Sequence, residues 1–312
     1  MTRALVFPGQ GSQFVGMGKS LAEAYEPARL VFEEVNDALS QDLSKIMWEG
    51  PEDELRLTEN TQPALMAVSM AVIRTLEDGG VKVAEVASHV AGHSLGEYSA
   101  LAAAGAFSIA DTARLLKLRG QAMQRAVPVG EGAMAAILGL SMEDVNTVVE
   151  AASQGEVVVS ANDNADGQVV VSGHKAAVER TIELAKEKGA KRGMLLPVSA
   201  PFHCPLMKPA ADEMKAALAE VTIERPCVPV IANVLAAPVS EPEGIANLLV
   251  EQVTGSVRWR ESVASMSSLG IDTVVEIGAG KVLSGLARRI DRSLSTANIQ
   301  EPADIEAFTS AL

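Results

Sequence analysis

The chain has 312 residues, 48% hydrophobic and 21% charged, so it is long and apolar enough to bury a sizeable core. Its formal net charge of −14 disfavours nucleic acid and anionic membrane as general partners. Two cysteines offer no disulfide framework, and no apolar run resembles a signal peptide or reaches membrane-spanning length. We therefore expect a soluble, cytoplasmic protein made of one large domain, or of a core domain with a smaller one inserted.

The first part of the chain predicts strands that alternate with helices. The apolar run Ala4–Phe7 predicts a buried strand, and the glycine-rich loop after it lacks the spacing of a dinucleotide-binding turn. Such a loop lets its backbone approach a reacting group closely. Helical spacing follows over residues 18–48 and 61–76, and residues 81–91 predict a return to the sheet.

This return ends in Gly92-His93-Ser94-Leu95-Gly96, and small residues that favour a helix follow. A strand, a tight G-x-S-x-G turn and a helix are typical of a nucleophile elbow. We expect side chains at positions 92 and 96 to collide with neighbouring backbone, and Ser94 to be strained at the apex. That geometry lifts the Ser94 hydroxyl clear of the sheet and directs the amides of the helix toward whatever bonds to it.

The segment Asp111–Ala126 predicts a helix whose apolar face carries an arginine. Arg119 lies in the middle of a stripe that includes Leu116 and Met123, where a charge is costly unless it is paired. Two interpretations stay open. The side chain reaches the surface or pairs with a structural acid, or its guanidinium awaits a carboxylate that arrives with a substrate.

The next segment has an order of elements that is complete in itself. Residues 128–198 predict β-α-β-β-α-β, which is a ferredoxin-like unit. This unit interrupts a core formed by residues 1–127 and 199–312, so we expect it to be an insertion that covers the active site.

After the insertion the chain is expected to return to the core. Buried strands are predicted at residues 228–234 and 273–277. Cys204 has no elbow of its own and is expected to be a small buried thiol. The tail from Ser293 onward has no strong pattern, which predicts fraying or loose packing.

A serine hydroxyl is a poor nucleophile unless a base takes its proton, and the chain has four histidines. His203 is the favoured base, because a proline-rich loop holds it and it follows the serine in the chain. His93 adjoins Ser94 too closely to reach its hydroxyl but can line the same pocket, while His89 and His174 are expected to be structural or solvent-facing. No acid at a strand end lies between serine and base, which predicts a dyad oriented by a neutral acceptor.

Five segments together resemble the malonyl-coenzyme A:acyl carrier protein transacylases of type II fatty acid synthesis: Phe7–Gln13, Gly92–Tyr98, Leu118–Met123, Pro197–Met207, and Gln252 with Val257–Trp259. This resemblance implies an α/β-hydrolase-like core with a parallel sheet that carries the ferredoxin-like subdomain. It implies a ping-pong reaction in which Ser94 takes a malonyl group from coenzyme A and the phosphopantetheine thiol of acyl carrier protein collects it. Neither a bound cofactor nor a metal is implied.

The resemblance also implies how the reacting groups are held. His203 is the base, and the backbone carbonyl of Gln252 orients its imidazole. The amides of Gln10 and Leu95 form the oxyanion hole, with each donor worth about 3 kcal/mol.

Substrate recognition is implied in the same way. Arg119 binds the malonyl carboxylate with His93 nearby, and Phe202 and Met123 select the acyl group. How strictly malonyl is preferred over methylmalonyl or acetyl does not follow from the sequence.

Carrier docking is expected to need a local basic patch, because acyl carrier proteins are acidic and so is this chain. The candidate residues lie beside the strand that leads to the base: Lys186, Lys188, Lys191 and Arg192. A solvated helix end is the alternative interpretation of this patch. The resemblance suggests a monomer.

Two other classes of function remain alternatives. A serine thioesterase or esterase shares the elbow and the histidine but gives no reason for Arg119 on an apolar face. A non-catalytic scaffold that binds carrier protein would keep the fold without the chemistry. Within the transacylase hypothesis, a polyketide carrier is the alternative to a fatty acid carrier.

Overall fold

The computed structural model describes residues 1–312 as an α/β architecture with ten strands in two sheets and fifteen α-helices. The strands are Arg3–Phe7 (β1), His89–Gly92 (β2), Gly132–Leu138 (β3), Val158–Ala165 (β4), Gln168–His174 (β5), Arg192–Leu195 (β6), Val230–Ala232 (β7), Ala237–Val239 (β8), Thr273–Ile277 (β9) and Ser295–Ile299 (β10). The helices are Lys19–Ala24 (α1), Glu26–Leu39 (α2), Leu43–Glu49 (α3), Glu52–Arg56 (α4), Thr58–Asp78 (α5), Val83–Val86 (α6), Gly96–Ala103 (α7), Ile109–Arg125 (α8), Met142–Ser153 (α9), Lys175–Glu187 (α10), Lys208–Ala219 (α11), Pro242–Thr254 (α12), Trp259–Ser268 (α13), Val282–Ile290 (α14) and Pro302–Ser310 (α15).

The larger sheet has the strand order β10-β9-β1-β2-β7-β8 and is parallel except for β8, which runs antiparallel to β7. Side chains of β1 alternate between its two faces. Leu5 and Phe7 join the apolar cluster that includes α2, α5 and α8, while Ala4 and Val6 join the one that includes α13 and α14. Because both faces are covered, the strands are continuous apolar runs rather than alternating ones.

The carboxyl ends of β1 and β2 meet at one edge of this sheet, where Phe7 is paired with Gly92. The glycine-rich loop after β1 therefore lies beside the turn that joins β2 to α7. The return to the sheet is shorter than residues 81–91, because Val83–Val86 forms the short helix α6 and pairing begins only at His89. This edge is where open α/β sheets place ligands.

The smaller sheet has the order β4-β5-β3-β6, and every neighbouring pair is antiparallel. One face packs against α9 and α10 through an apolar cluster that includes Ala135 and Ile137. Met134 and Ala136 point the other way, into a cavity above the carboxyl edge of the larger sheet. Strand β4 is joined to the segment before α13 by backbone hydrogen bonds, Asp163 N to Val257 O at 3.0 Å and Val257 N to Ala161 O at 2.9 Å.

The prediction of a frayed tail after Ser293 is wrong. Strand β10 pairs in parallel with β9, and α15 begins with a capping box between Glu301 and Asp304. Ile299 and Ile305 are buried in the largest apolar cluster. The short edge strand Ser-Thr-Ala-Asn-Ile has too few apolar residues for its periodicity to be recognised.

Helix α5 runs through the largest apolar cluster and is buried along most of its length. It begins at Thr58, before the predicted start at residue 61, so Pro63 lies inside the helix. None of the helices combines the length and the apolar character that a membrane span requires.

Candidate active site

The turn between β2 and α7 holds Ser94 in a strained conformation, with φ at +53° in the left-handed region. A Cβ at Gly92 would lie 1.9 Å from the carbonyl carbon of Gly96, and a Cβ at Gly96 would lie 2.2 Å from Phe7 O. Both glycine predictions are thus confirmed. The turn is also braced by Asn233, whose Oδ1 accepts from Ser94 N at 2.8 Å and whose Nδ2 donates to Gly92 O at 2.6 Å.

The Ser94 hydroxyl lies 2.7 Å from Nε2 of His203. On the other side of the ring, Nδ1 lies 2.8 Å from the backbone carbonyl of Gln252. Because a carbonyl oxygen only accepts, Nδ1 carries the proton and Nε2 is left to accept from Ser94. Burial, with the charge of Arg119 as a further cause, lowers the pKa of His203 to about 3, so the imidazole is neutral around pH 7.

The guanidinium of Arg119 is 1% exposed and adjoins this pair. Its Nη2 donates to Ser94 Oγ at 3.1 Å and to Gln252 Oε1 at 2.8 Å, while Nη1 donates to Gln62 Oε1 at 2.7 Å. No carboxylate pairs with it, and its Nε has no hydrogen-bond partner. The ring of Tyr98 lies 5.7 Å from Cζ, which adds a cation–π contact.

This geometry contradicts both structural interpretations of Arg119. The side chain neither reaches the surface nor pairs with an acid, and neutral oxygens alone hold a buried cation. A buried cation without a carboxylate in direct contact is costly, so an anion that enters beside Ser94 gains a strong, charge-assisted partner.

Neither the backbone amide of Gln10 nor that of Leu95 has an acceptor within the protein. Gln10 lies in the loop after β1, and Leu95 directly precedes α7, where helix amides point outward. The side chain of Gln10 is held by Thr58, whose Oγ1 donates to Gln10 Oε1 at 3.0 Å. Both residues line the same cavity as Ser94.

The cavity has a volume of about 280 Å³. It is lined by residues of strands β3, β4 and β5 and by residues of the turn before α7, of α5 and of α8. Phe202 and Met123 lie on its wall, together with His93. Strand β4 contributes Asn164, whose Oδ1 accepts from Nε2 of His93 at 2.8 Å. A wider groove of about 720 Å³ on α1, α2 and α3 contains neither histidine nor cysteine among its lining residues, so the reactive groups belong to the smaller cavity.

The predicted docking residues lie outside the cavity and are all exposed. Lys186 pairs with Glu183 at 2.7 Å, and Lys188 pairs with Asp144 at 3.3 Å. The two remaining residues, Lys191 and Arg192, have no acidic partner. Half of the patch is therefore neutralised by its own neighbours.

The remaining candidates have local structural partners. Nδ1 of His174 accepts from Val157 N at 2.9 Å, and Nδ1 of His89 lies 3.0 Å from Ser88 Oγ. The Cys204 thiol is buried and donates to Pro201 O at 3.0 Å.

Sequence reasoning missed a set of neutral and acidic side chains that hold the site together: Thr58, Gln62, Glu97, Asn164 and Asn233. Glu97 carried the same signal as Arg119, a charge within a run that is otherwise small and apolar. The others carry no local signal, because the partners that give them a role are distant in the chain.

Comparison with known proteins shows similarity over the full length. The family profile described as acyl transferase domain matches residues 4–302. A malonyl CoA-acyl carrier protein transacylase of Bacillus subtilis is 46% identical over 99% of this chain and 96% of the relative. The crystal structure of an acyl-carrier-protein-S-malonyltransferase from Bartonella henselae is 56% identical, with a TM-score of 0.98, over 100% of this chain and 99% of that one. A structure described as a type II PKS acyl-carrier protein in complex with its malonyl-transacylase is 43% identical, with a TM-score of 0.97, over 100% of both chains.

Proposed function

The chain belongs to the acyl transferase domain family, and we propose on that basis that it transfers a malonyl group from coenzyme A to the phosphopantetheine thiol of an acyl carrier protein. The observation that carries the proposal is the buried guanidinium of Arg119, which lies 3.1 Å from Ser94 Oγ and has no carboxylate partner. Malonyl differs from a simple acyl group by a terminal carboxylate, which is the group that such a cation binds.

In the proposed first half-reaction, Ser94 Oγ attacks the malonyl thioester carbonyl while Nε2 of His203 takes its proton. The carbonyl oxygen becomes an anion, and the free amides of Gln10 and Leu95 donate to it. The intermediate collapses to a malonyl ester on Ser94, and the imidazolium returns the proton to the departing coenzyme A thiolate.

The second half-reaction reverses these steps with a different thiol. His203 takes a proton from the phosphopantetheine thiol, the thiolate attacks the ester, and Ser94 recovers its proton. Burial makes the imidazolium unfavourable, since it lowers the pKa of His203 to about 3. Proton return to the leaving group is correspondingly favoured in both halves.

We also propose a division of the chain in which residues 1–127 and 199–312 form an α/β-hydrolase-like core. Residues 128–198 then form a ferredoxin-like subdomain. The antiparallel order β4-β5-β3-β6, with α9 and α10 on one face, supports this assignment.

The function is tested by mass spectrometry of the enzyme after incubation with malonyl-, methylmalonyl- and acetyl-coenzyme A in parallel. We expect a stable malonyl adduct on Ser94 that disappears when acyl carrier protein bearing phosphopantetheine is added, with malonyl appearing on the carrier. A serine thioesterase would instead release free malonate without an acceptor. That outcome, or preferential labelling by acetyl-coenzyme A, would contradict the proposal.

Carrier docking is proposed at the exposed cations beside β6. Reversing the charge of Lys191 and Arg192 should raise the KM for acyl carrier protein several-fold, because these two cations have no acidic neighbour and are free to meet an acidic partner. Hydrolysis of malonyl-coenzyme A in the absence of carrier should stay as in the unaltered chain. Reversal of Lys186, which already pairs with Glu183, is the matched control and should have the smaller effect. Equal effects on carrier transfer and on hydrolysis would refute the docking site.

A further inference from the structure

Glu97 is a buried carboxylate that the mechanism above does not use. It lies in the first turn of α7, is 2% exposed, and forms no ion pair. Its Oε2 accepts from Asn233 N at 3.1 Å and from Gln252 Nε2 at 2.8 Å. Burial raises the pKa of Glu97 to about 7, although these two hydrogen bonds and the charge of Arg119 act in the opposite direction. The reaction steps described above do not explain why a carboxyl group is buried at this position.

The side chain of Gln252 explains what this carboxylate does. Its Nε2 donates both to Glu97 Oε2 and to Ser94 O, at 2.8 and 2.9 Å, and its Oε1 accepts from Arg119 Nη2 at 2.8 Å. A reversed carboxamide would place its NH₂ group against the guanidinium and its oxygen against two other oxygens. Its orientation is therefore determined by acceptors on one side and a cation on the other.

Gln252 thus serves the site through both its backbone and its side chain. Its backbone carbonyl accepts from His203, whereas its side chain contacts Arg119 and the backbone carbonyl of Ser94. Glu97 contacts the side chain of Gln252 but not its backbone carbonyl, and it also accepts from Asn233 N. Because His203 is held by the backbone carbonyl, a defect at Glu97 leaves that contact in place and acts first on the contact between the Gln252 side chain and Arg119.

We propose that Glu97 is a positioning residue for substrate selection: as a fixed acceptor it orients the Gln252 carboxamide so that the amide oxygen holds Arg119 ready for a carboxylated acyl group. This inference rests on the proposed function, because it needs Arg119 to bind the malonyl carboxylate. Glu97 itself does not touch the substrate.

Two variants of Glu97 separate the effect of its side-chain length from the effect of its charge. Glu97→Asp keeps the carboxylate but withdraws it by one methylene from Gln252, whereas Glu97→Gln keeps an acceptor oxygen at full reach and removes the charge. Single-turnover acylation of Ser94 by malonyl- and by acetyl-coenzyme A gives the ratio of kcat/KM for the two donors. We expect Glu97→Asp to lower this ratio at least about tenfold, mainly by raising the KM for malonyl-coenzyme A, since a hydrogen bond in a charged network is disturbed. Glu97→Gln should keep the ratio within about threefold.

Glu276→Asp is the matched control, because Glu276 is a second fully buried carboxylate, and it accepts from Leu283 N and Ser284 N at the start of α14. Its shortening should lower stability but leave the malonyl-to-acetyl ratio unchanged. The inference is overturned if Glu97→Asp lowers kcat/KM equally for malonyl- and acetyl-coenzyme A. It is also overturned if Glu97→Gln lowers the malonyl-to-acetyl ratio as much as Glu97→Asp does. Failure of the unaltered chain to accept malonyl at all would instead refute the proposed function.

Discussion

Replacing Ser94 by alanine is expected to lower malonyl transfer by about 10⁴-fold or more, because no ester can form on a methyl group and only binding and the oxyanion donors remain. No other group replaces the hydroxyl. The Cys204 thiol is buried and donates a hydrogen bond to Pro201 O, and burial raises its pKa. The thiol therefore stays protonated and is inert as a nucleophile. Mass spectrometry after incubation with malonyl-coenzyme A should find no adduct, and steady-state transfer to carrier protein should fall to background.

Ser99→Ala is the matched control for this change. Ser99 lies on α7, the helix that follows the Ser94 turn, is 1% exposed, and its Oγ has no hydrogen-bond partner, so removing it leaves no partner unsatisfied. The Ser99 variant should therefore transfer malonyl as the unaltered chain does. Undiminished transfer by the Ser94 variant would refute Ser94 as the nucleophile, whereas a lack of transfer by the unaltered chain would favour the scaffold interpretation.

Replacing Arg119 by alanine is expected to change the choice of donor rather than remove the chemistry. A malonyl carboxylate would then be buried without a partner, and breaking a buried charge pair costs about 2–5 kcal/mol, which corresponds to a loss of about 30- to 5000-fold in loading. Acetyl carries no carboxylate and loses no such partner, so acetyl loading of Ser94 should persist. The measurement is single-turnover acylation with the two coenzyme A esters.

The control for this second change lies on the same helix. Arg125 is half-exposed and pairs with Glu213 at 2.7 Å, so Arg125→Ala removes a cation from α8 without altering the cavity. Its malonyl-to-acetyl ratio should equal that of the unaltered chain. Malonyl loading that survives in the Arg119 variant would show that another group recognises the carboxylate.

The reactive turn and the buried cation could be predicted because each has a signature within a few residues. Gly92 and Gly96 are required because a Cβ at either position would lie closer than 2.5 Å to neighbouring backbone. This requirement is visible in the sequence as the G-x-S-x-G spacing. Arg119 interrupts an apolar helix face, which periodicity alone detects. The order of elements in residues 128–198 could be predicted for a similar reason, because each strand and helix there is bounded by its own turn.

The hydrogen-bond network around the cation could not be predicted in the same way. Gln62, Arg119 and Gln252 are separated by 57 and 133 residues in the chain, and their contacts depend on how three helices pack. The last strand and helix were missed for a related reason. Strand β10 is stable because β9 offers it a paired edge, and a short sequence does not show the partner it will find.

The cavity takes its lining from two different parts of the chain, and this has an evolutionary consequence. Ser94 and His203 come from one part, while Met134, Val170 and the asparagines of β4 come from the other. Mutations in the second part can enlarge or narrow the acyl site without disturbing the first. Reactivity and the size of the acyl site are therefore traits that can diverge independently, and descendants that accept acyl groups of another size can inherit the chemistry unchanged.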